Sequence, residues 1–331
     1  MRVAIFSTKS YDIEFLNRFN DANKHQLSFF EVSLNIATSK LAKDFDAVCV
    51  FVNDTLDAET IKQLASCEIK LIVLRCAGYN NVDIAAATAN NIKVVRVPAY
   101  SPEAVAEHTV SLILSLNRKT HKAYNRVKES NFSLYGLMGF NLYNKTVGVI
   151  GTGKIGTAFC RIMLGFGCKI IAYDIVENKS LQEAGIVFTT LDEVLKNADI
   201  LSLHCPLTPL TKYVFNDATF KKIKKGAMLI NTSRGALINT KDAIENLKSG
   251  QLGYLGIDVY EQEENLFFND LTDTIIQDDL IERLIYFPNV LVTPHQGFFT
   301  KEALDEIAIT TINNCSDFEN GTLLKNEIKS L

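Results

Sequence analysis

No stretch of this chain is apolar for long enough to span a bilayer. The opening segment, Met1-Arg-Val-Ala-Ile-Phe6, enters a strand-like pattern directly and lacks the long apolar core of a secretory leader. Paired cysteines are also missing. The seven cysteines, at positions 49, 67, 76, 160, 168, 205 and 315, form no CxxC pair and are odd in number. Most sit inside apolar runs, so they are expected to be small buried hydrophobes in a reducing compartment, and the chain is expected to be cytoplasmic. A strong charge of either sign is absent as well: the formal net charge is −4. That balance gives no electrostatic case for nucleic acid or for an acidic membrane as partner. There is no low-complexity segment, and no internal repeat beyond an alternation of strand-like and helix-like stretches.

With 331 residues, 47% of them hydrophobic, the chain is long for one core, and two domains are expected. In the first hundred residues Val3–Phe6, Leu27–Val32, 46–52, Ile69–Arg75 and Ile92–Val97 read as strands. Helical spacing lies between most of them, at 13–19, Ile61–Ser66 and Val82–Ala89. About five strands alternating with helices make a parallel, doubly wound α/β unit. Ser101-Pro102 then opens a helix, with Ser as N-cap and Pro as the first helical residue. Helical spacing continues to about Glu129, which predicts one long helix bridging two domains, with the boundary near Tyr100. A second series of strands follows at 147–150, 169–173, 199–204, 227–231, 254–258 and 290–293. Glu261–Asp279 reads as a loop with weak helical character. A last helix, Glu302 to about Glu319, carries Ala303, Ile307, Ile309 and Ile312 on a partly apolar stripe.

The most informative stretch is Thr146-Val-Gly-Val-Ile-Gly-Thr-Gly-Lys-Ile-Gly-Thr157. A buried strand ends at Gly151-x-Gly153-x-x-Gly156, and helix formers follow. The three glycines serve the tight turn, the approach of a pyrophosphate to the backbone, and close helix–strand packing. The free N–H groups of the new helix then face the phosphates. A second strand, Lys169-Ile-Ile-Ala-Tyr173, ends in Asp174. A carboxylate there accepts hydrogen bonds from a ribose 2′-OH and repels a 2′-phosphate, and no arginine follows in Ile175-Val-Glu-Asn178. The expected cofactor is therefore NAD rather than NADP, on a full Rossmann sheet. Its ligands should meet the residues just after each strand: Gly151–Gly156, Asp174, Cys205-Pro206, Thr232-Ser-Arg234, Asp258 and Pro294-His295.

Hydride transfer between a nicotinamide and a carbonyl requires a proton donor near the oxygen and a cation for any carboxylate. Histidine is scarce, with five in all. His25 lies among polar residues and is expected at the surface. His108 and His121 fall on the long helix. His204, inside a strand, reads as a buried ring. His295 directly follows a strand in Thr293-Pro-His-Gln-Gly297, where Pro and Gly expose it, and it is the acid/base candidate. Arg234, in Asn231-Thr-Ser-Arg-Gly235, can grip a carboxylate with two parallel N–H bonds. Glu261, Glu263 and Glu264 crowd the segment after Asp258, and any of them can pair with the histidine; spacing does not choose among them. The basic run 221–225 reads as a solvated helix end. No metal site is expected.

Seven ordered motifs extend the reading: Arg75-Cys-Ala-Gly-Tyr-Asn-Asn-Val-Asp83, Val97-Pro-Ala-Tyr-Ser-Pro-Glu-Ala-Val-Ala-Glu-His108, the glycine motif, His204-Cys-Pro-Leu-Thr208, Asn231-Thr-Ser-Arg-Gly-Ala236, Asp258-Val-Tyr-Glu-Gln-Glu263 and Thr293-Pro-His-Gln-Gly-Phe298. With these the chain resembles, over nearly its full length, the D-isomer-specific 2-hydroxyacid dehydrogenase family; the first two and the last motif point to its fermentative D-lactate branch. The resemblance implies an NADH-dependent reduction of pyruvate to D-lactate, with the catalytic arginine at Arg234, the histidine at His295 and the glutamate at Glu263. It implies that the substrate carboxylate meets Arg234, the Tyr100 hydroxyl and the N–H groups of Ala77 and Gly78, while Phe298 borders the methyl group. It places NAD against Gly151, Gly153, Lys154, Ile155, Gly156, Asp174, Cys205, Pro206, Thr211, Thr232, Ser233 and Asp258. It implies two doubly wound parallel-sheet domains: a smaller, flavodoxin-like substrate domain made of residues 1–100 and 299–331, and a Rossmann domain of residues 101–298. Water exclusion by domain closure and a homodimer, in some members a tetramer, belong to the same expectation. Gln296-Gly297 stands where a smaller or more apolar pair is often found in the family, and Cys76 also varies there, so the exact 2-keto acid stays open. The rivals are a longer 2-keto acid or glyoxylate and, from another class, an NAD-sensing binding protein.

Overall fold

The computed structural model describes residues 1–21 and 24–329. The chain divides into two compact units, Met1–Ser101 with Phe298–Leu331, and Pro102–Gly297. Ser101 and Phe298 thus fall with the first unit, one residue from the expected limits at each crossing.

The first unit is built on five parallel strands: β1 (Arg2–Ile5), β2 (Gln26–Phe29), β3 (Ala47–Val50), β4 (Leu71–Leu74) and β5 (Lys93–Arg96). Their order is β2-β1-β3-β4-β5. The near-continuous apolar runs of β3 and β4 are buried along their whole length, as interior strands covered on both faces must be. Asp57 and Asp83 cap the helices Ala58–Ser66 and Ile84–Ala89 through Thr60 N and Ala86 N. The last helix, Lys301–Glu319, returns to this sheet and buries Ala308, Ile312 and Cys315 among Val3, Ile5, Leu16, Val73 and Val95. The segment after it covers the edge of β5, with Ile328 N–H donating to Val94 O at 2.8 Å and Arg96 N–H to Asn326 O at 3.2 Å. His25 is not at the surface: it is 1% exposed, its Nε2 lies 3.0 Å from Ser316 Oγ, and burial pulls its pKa down. Its polar sequence neighbours concealed a position under the last helix.

The second unit holds seven parallel strands among the described residues: β6 (Thr146–Ile150), β7 (Lys169–Tyr173), β8 (Val187–Phe188), β9 (Ile200–Leu203), β10 (Ala227–Asn231), β11 (Leu252–Ile257) and β12 (Val290–Val292). The order is β12-β11-β10-β9-β6-β7-β8. The sequence pattern predicts six of these; β8 has only two residues, too few for any periodicity to register. The expected single helix from 103 to 129 is two helices, Pro102–Arg118 and Thr120–Lys128, broken at Lys119 in the left-handed conformation with φ 51°. The cause is tertiary. The Asn117 amide exchanges two hydrogen bonds with the Phe140 backbone, at 2.7 and 2.8 Å, and Lys119 Nζ reaches Gly136 O at 2.8 Å. No helix of the described residues is long and apolar enough to cross a membrane. All seven cysteines are free, and five of them are buried.

Candidate active site

The order of the second sheet reverses at β6, so the loops after β6 and β9 lie side by side at its carboxyl end. Gly151 closes the first loop with φ 94° and its N–H on Tyr173 O. A Cβ on Gly151 would stand 2.6 Å from Cys205 N, and one on Gly156 would stand 2.1 Å from Gly151 O. Nothing lies within 4 Å of where a Gly153 Cβ would be, which leaves open space over the first turn of the helix Lys154–Gly165. Lys154 and Ile155 begin that helix, where the amides lack intrahelical partners. Beneath the loop, half-buried His204 bonds Ser202 Oγ at 2.9 Å and packs on Phe159; loss of water around the ring depresses its pKa to about 3, so the ring is neutral.

Asp174 stands at the end of β7. Burial raises its pKa, but the Thr152 N–H and hydroxyl, at 2.5 and 2.9 Å, and the amides of Val176 and Ile175 outweigh that and hold the carboxyl below its usual range. A charged carboxylate beside an unobstructed helix N-terminus fits a dinucleotide with a free ribose 2′-OH. Cys205 and Pro206 follow β9; Cys205 O accepts from Ser233 Oγ at 2.7 Å, and Pro206 O accepts from Thr211 Oγ1 at 2.7 Å. Thr232, after β10, is buried against Thr109 at 2.8 Å. The loop ends are therefore tied to each other rather than left to move independently.

β10 delivers the arginine. Its last residue, Asn231, accepts from Ser233 N–H at 3.0 Å and donates to Arg234 O at 2.8 Å, a local side-chain turn that fixes the backbone on which Arg234 sits. The half-buried Arg234 guanidinium bonds Ser233 O at 2.6 Å and has no carboxylate partner among the described residues. β12 delivers the histidine. His295 is in the left-handed region, φ 55°, uncommon for a residue with a Cβ and found mostly where the surroundings force it. What forces it is Asp258, buried at the end of β11, which accepts from Thr293 Oγ1 at 2.5 Å, Gln296 N at 2.9 Å and Gly297 N at 2.8 Å. His108 Nε2 lies 3.2 Å from Asp258 Oδ1 and 3.1 Å from Thr293 Oγ1. Burial pushes the Asp258 carboxyl up, but His108, Thr293 and His295 bring it below the ordinary value. Both its oxygens are thus engaged within the protein. His108 is the residue that sequence reasoning left without a role: it lies 150 positions from Asp258, and nothing in a helical pattern points to that partner.

Of the three candidate glutamates, Glu263 faces the histidine. Its Oε1 is 3.0 Å from His295 Nδ1, and its Oε2 accepts from Tyr260 N–H at 2.9 Å. Glu261 is committed elsewhere, to Tyr213 OH at 2.8 Å and Thr240 N at 3.2 Å. With Nδ1 on the carboxylate, Nε2 is the nitrogen left to exchange a proton with a ligand.

In the first unit, the loop after β4 carries Ala77 and Gly78, both half-buried, and neither N–H has an acceptor among the described residues. Phe298 is buried there, its ring 5.9 Å from that of Phe51 and 6.4 Å from that of Tyr100.

Residues 110–297 match the D-isomer specific 2-hydroxyacid dehydrogenase, NAD binding domain. The chain belongs to the D-isomer-specific 2-hydroxyacid dehydrogenase family. Family members similar to it include 2-hydroxyacid dehydrogenase homolog 1 of Schizosaccharomyces pombe, 52% identical over 319 residues, which are 96% of each chain. The D-lactate dehydrogenase of Escherichia coli is 48% identical over 328 residues, 99% of this chain and 100% of that one. The apo-structure of D-lactate dehydrogenase from Escherichia coli superposes with a TM-score of 0.91, covering 99% of this chain and 100% of that one at 46% identity. This family member uses NAD and is an oxidoreductase acting on the CH–OH group of 2-hydroxy acids.

Proposed function

We propose that the chain reduces pyruvate to D-lactate. The observation that carries this reading is the pairing of His295 with Glu263 at 3.0 Å, on a loop after β12 of the same sheet whose β10 supplies an arginine without a carboxylate partner among the described residues. NADH, when bound along Gly151–Gly156 and Asp174, supplies the hydride. Arg234 takes the keto acid's carboxylate through two N–H groups, helped by the Ala77 and Gly78 amides and the Tyr100 hydroxyl. His295 gives its Nε2 proton to the carbonyl oxygen as the alcohol forms. Glu263 orients the ring and fixes which nitrogen faces the substrate. The aromatic crowding of Phe298, Phe51 and Tyr100 suits a methyl group better than a long side chain.

The related Escherichia coli enzyme, D-lactate dehydrogenase by name, supports the same substrate. The test is a stereospecific assay of purified protein with NADH and pyruvate, the lactate enantiomer identified, against longer 2-keto acids and glyoxylate in parallel. L-lactate as the product, or a clear preference for a longer acid, would refute the assignment; NADH binding without turnover of any keto acid would point to a sensing protein.

The assembly belongs to the same proposal. Phe132, Leu134, Tyr135, Met138 and Tyr143 are all at least 69% exposed on one arm of the second unit, a run that a lone soluble molecule rarely presents to water. A second copy of the chain covers it in the homodimer proposed here, and sedimentation of Leu134→Glu should then show monomers. A cytoplasmic location suits the free, mostly buried cysteines.

A further inference from the structure

The loop that offers Ala77 and Gly78 is held by a cation that the proposed chemistry does not use. Arg96, the last residue of β5, is half-buried and donates from Nη1 to Ala77 O at 2.8 Å. Its guanidinium carbon lies 5.1 Å from the centre of the Tyr79 ring, so the side chain spans the loop from Ala77 to Tyr79. Its own backbone is fixed on both sides, by Asn326 O at 3.2 Å and Asn314 Nδ2 at 3.0 Å. At the root of the loop, Arg75 is fully buried on Asp12 at 3.1 Å and Ser7 O at 2.8 Å. Cys76 Sγ reaches Gly78 O at 3.3 Å.

The peptide joining Ala77 to Gly78 is planar and trans, so its C=O and N–H point in opposite directions. With the carbonyl oxygen on Arg96, the Gly78 N–H must face the other way, and it has no acceptor among the described residues. A full positive charge on the oxygen also draws electron density through the amide and makes that N–H a stronger donor. We infer that Arg96 is a positioning residue for substrate: it orients and polarises the Ala77–Gly78 peptide so that the Gly78 N–H binds the carboxylate of the 2-keto acid. This rests on the functional reading above, in which that loop meets the carboxylate.

The experiment compares Arg96→Met, which keeps a chain of similar length over Tyr79 but removes charge and donors, with Arg96→Lys, which returns the charge. Steady-state kinetics with pyruvate and NADH binding by fluorescence are the readouts, with Arg234→Met run alongside. Arg96→Met should raise KM for pyruvate about tenfold, the scale expected for a charged hydrogen bond, while kcat changes less and NADH affinity stays constant. Arg96→Lys should recover part of the loss. An unchanged KM in Arg96→Met, or parallel losses of pyruvate and NADH affinity with a lowered melting temperature, would overturn the role of Arg96 while Arg234→Met remains impaired. Normal keto-acid turnover in Arg234→Met, or none in the parent protein, would instead overturn the functional reading beneath it.

Discussion

Gly235 lies so close to Tyr260 that a Cβ on the glycine would stand 2.1 Å from the Tyr260 carbonyl carbon. One residue upstream of that contact is Arg234; the amide of Tyr260 is the group that holds Glu263. The two loops that bring cation and carboxylate to the site are thus in backbone contact, and the tyrosine is locked from beyond by its hydroxyl on Asp278 at 2.6 Å. Asp278 in turn caps the helix Asp279–Tyr286 through Leu280 N and Ile281 N.

Gly235→Ala should therefore push the two loops apart by about an ångström, the shift needed to bring that 2.1 Å approach toward ordinary contact. Displacements of that size around reacting groups cost roughly 100-fold in rate, so kcat/KM for the keto acid should fall by about two orders of magnitude. Kinetics and thermal unfolding measured together check it. A variant with wild-type kcat/KM would show that the loops can part without consequence.

His295→Gln keeps a hydrogen-bonding side chain at the position but removes the transferable proton. Turnover should drop about 10²- to 10⁴-fold, the usual share of a general acid. NADH should still bind, because the glycine loop and Asp174 are untouched; fluorescence titration measures this. Near-normal turnover would remove His295 from the proton transfer.

Glu263→Gln preserves shape and one hydrogen bond but deletes the negative charge 3.0 Å from His295 Nδ1. Without that charge the ring loses the group that orients it and sets its tautomer, and kcat for keto-acid reduction should fall by up to about four orders of magnitude, the scale of the analogous substitution in a hydrolase triad. NADH affinity should stay constant. Steady-state kinetics together with fluorescence titration decides the matter, and an unchanged kcat would take Glu263 out of the pair.

His204 bears on stability rather than rate. Loss of water around the ring lowers its pKa to about 3, against an ordinary value of 6.5. Between these values the unfolded chain binds a proton that the folded chain refuses, so stability rises with pH there. The contribution of the neutral ring is complete above about pH 6.5 and is lost as pH falls toward 3, with a slope of at most about 1.4 kcal/mol per pH unit. His204→Asn should flatten this acid-side decline of the melting temperature, whatever it does to the absolute stability. A decline equally steep in both proteins would assign the acid sensitivity to other groups.

Much of the molecule is legible in the primary sequence, because the relevant signals are local. The glycine spacing after β6, the apolar runs of the central strands, Asp174 at a strand end and the βα alternation each occupy a few consecutive residues and carry their own physical reason. The same holds for Pro102 at a helix start and for Arg234 and His295 placed just after strands. Residue spacing left three crowded glutamates open and the family resemblance pointed to Glu263, but only the fold shows why that one faces the imidazole, since this depends on where Tyr260 turns its amide. Folding decided that the long helix breaks at Lys119, because the partner of Asn117 is Phe140, on the far side of a loop. It decided that His25 is buried, that His108 is bound to Asp258, and that Arg96 holds the Ala77 carbonyl. These contacts join residues distant along the chain, and no period or propensity within one segment encodes the partner that another segment supplies.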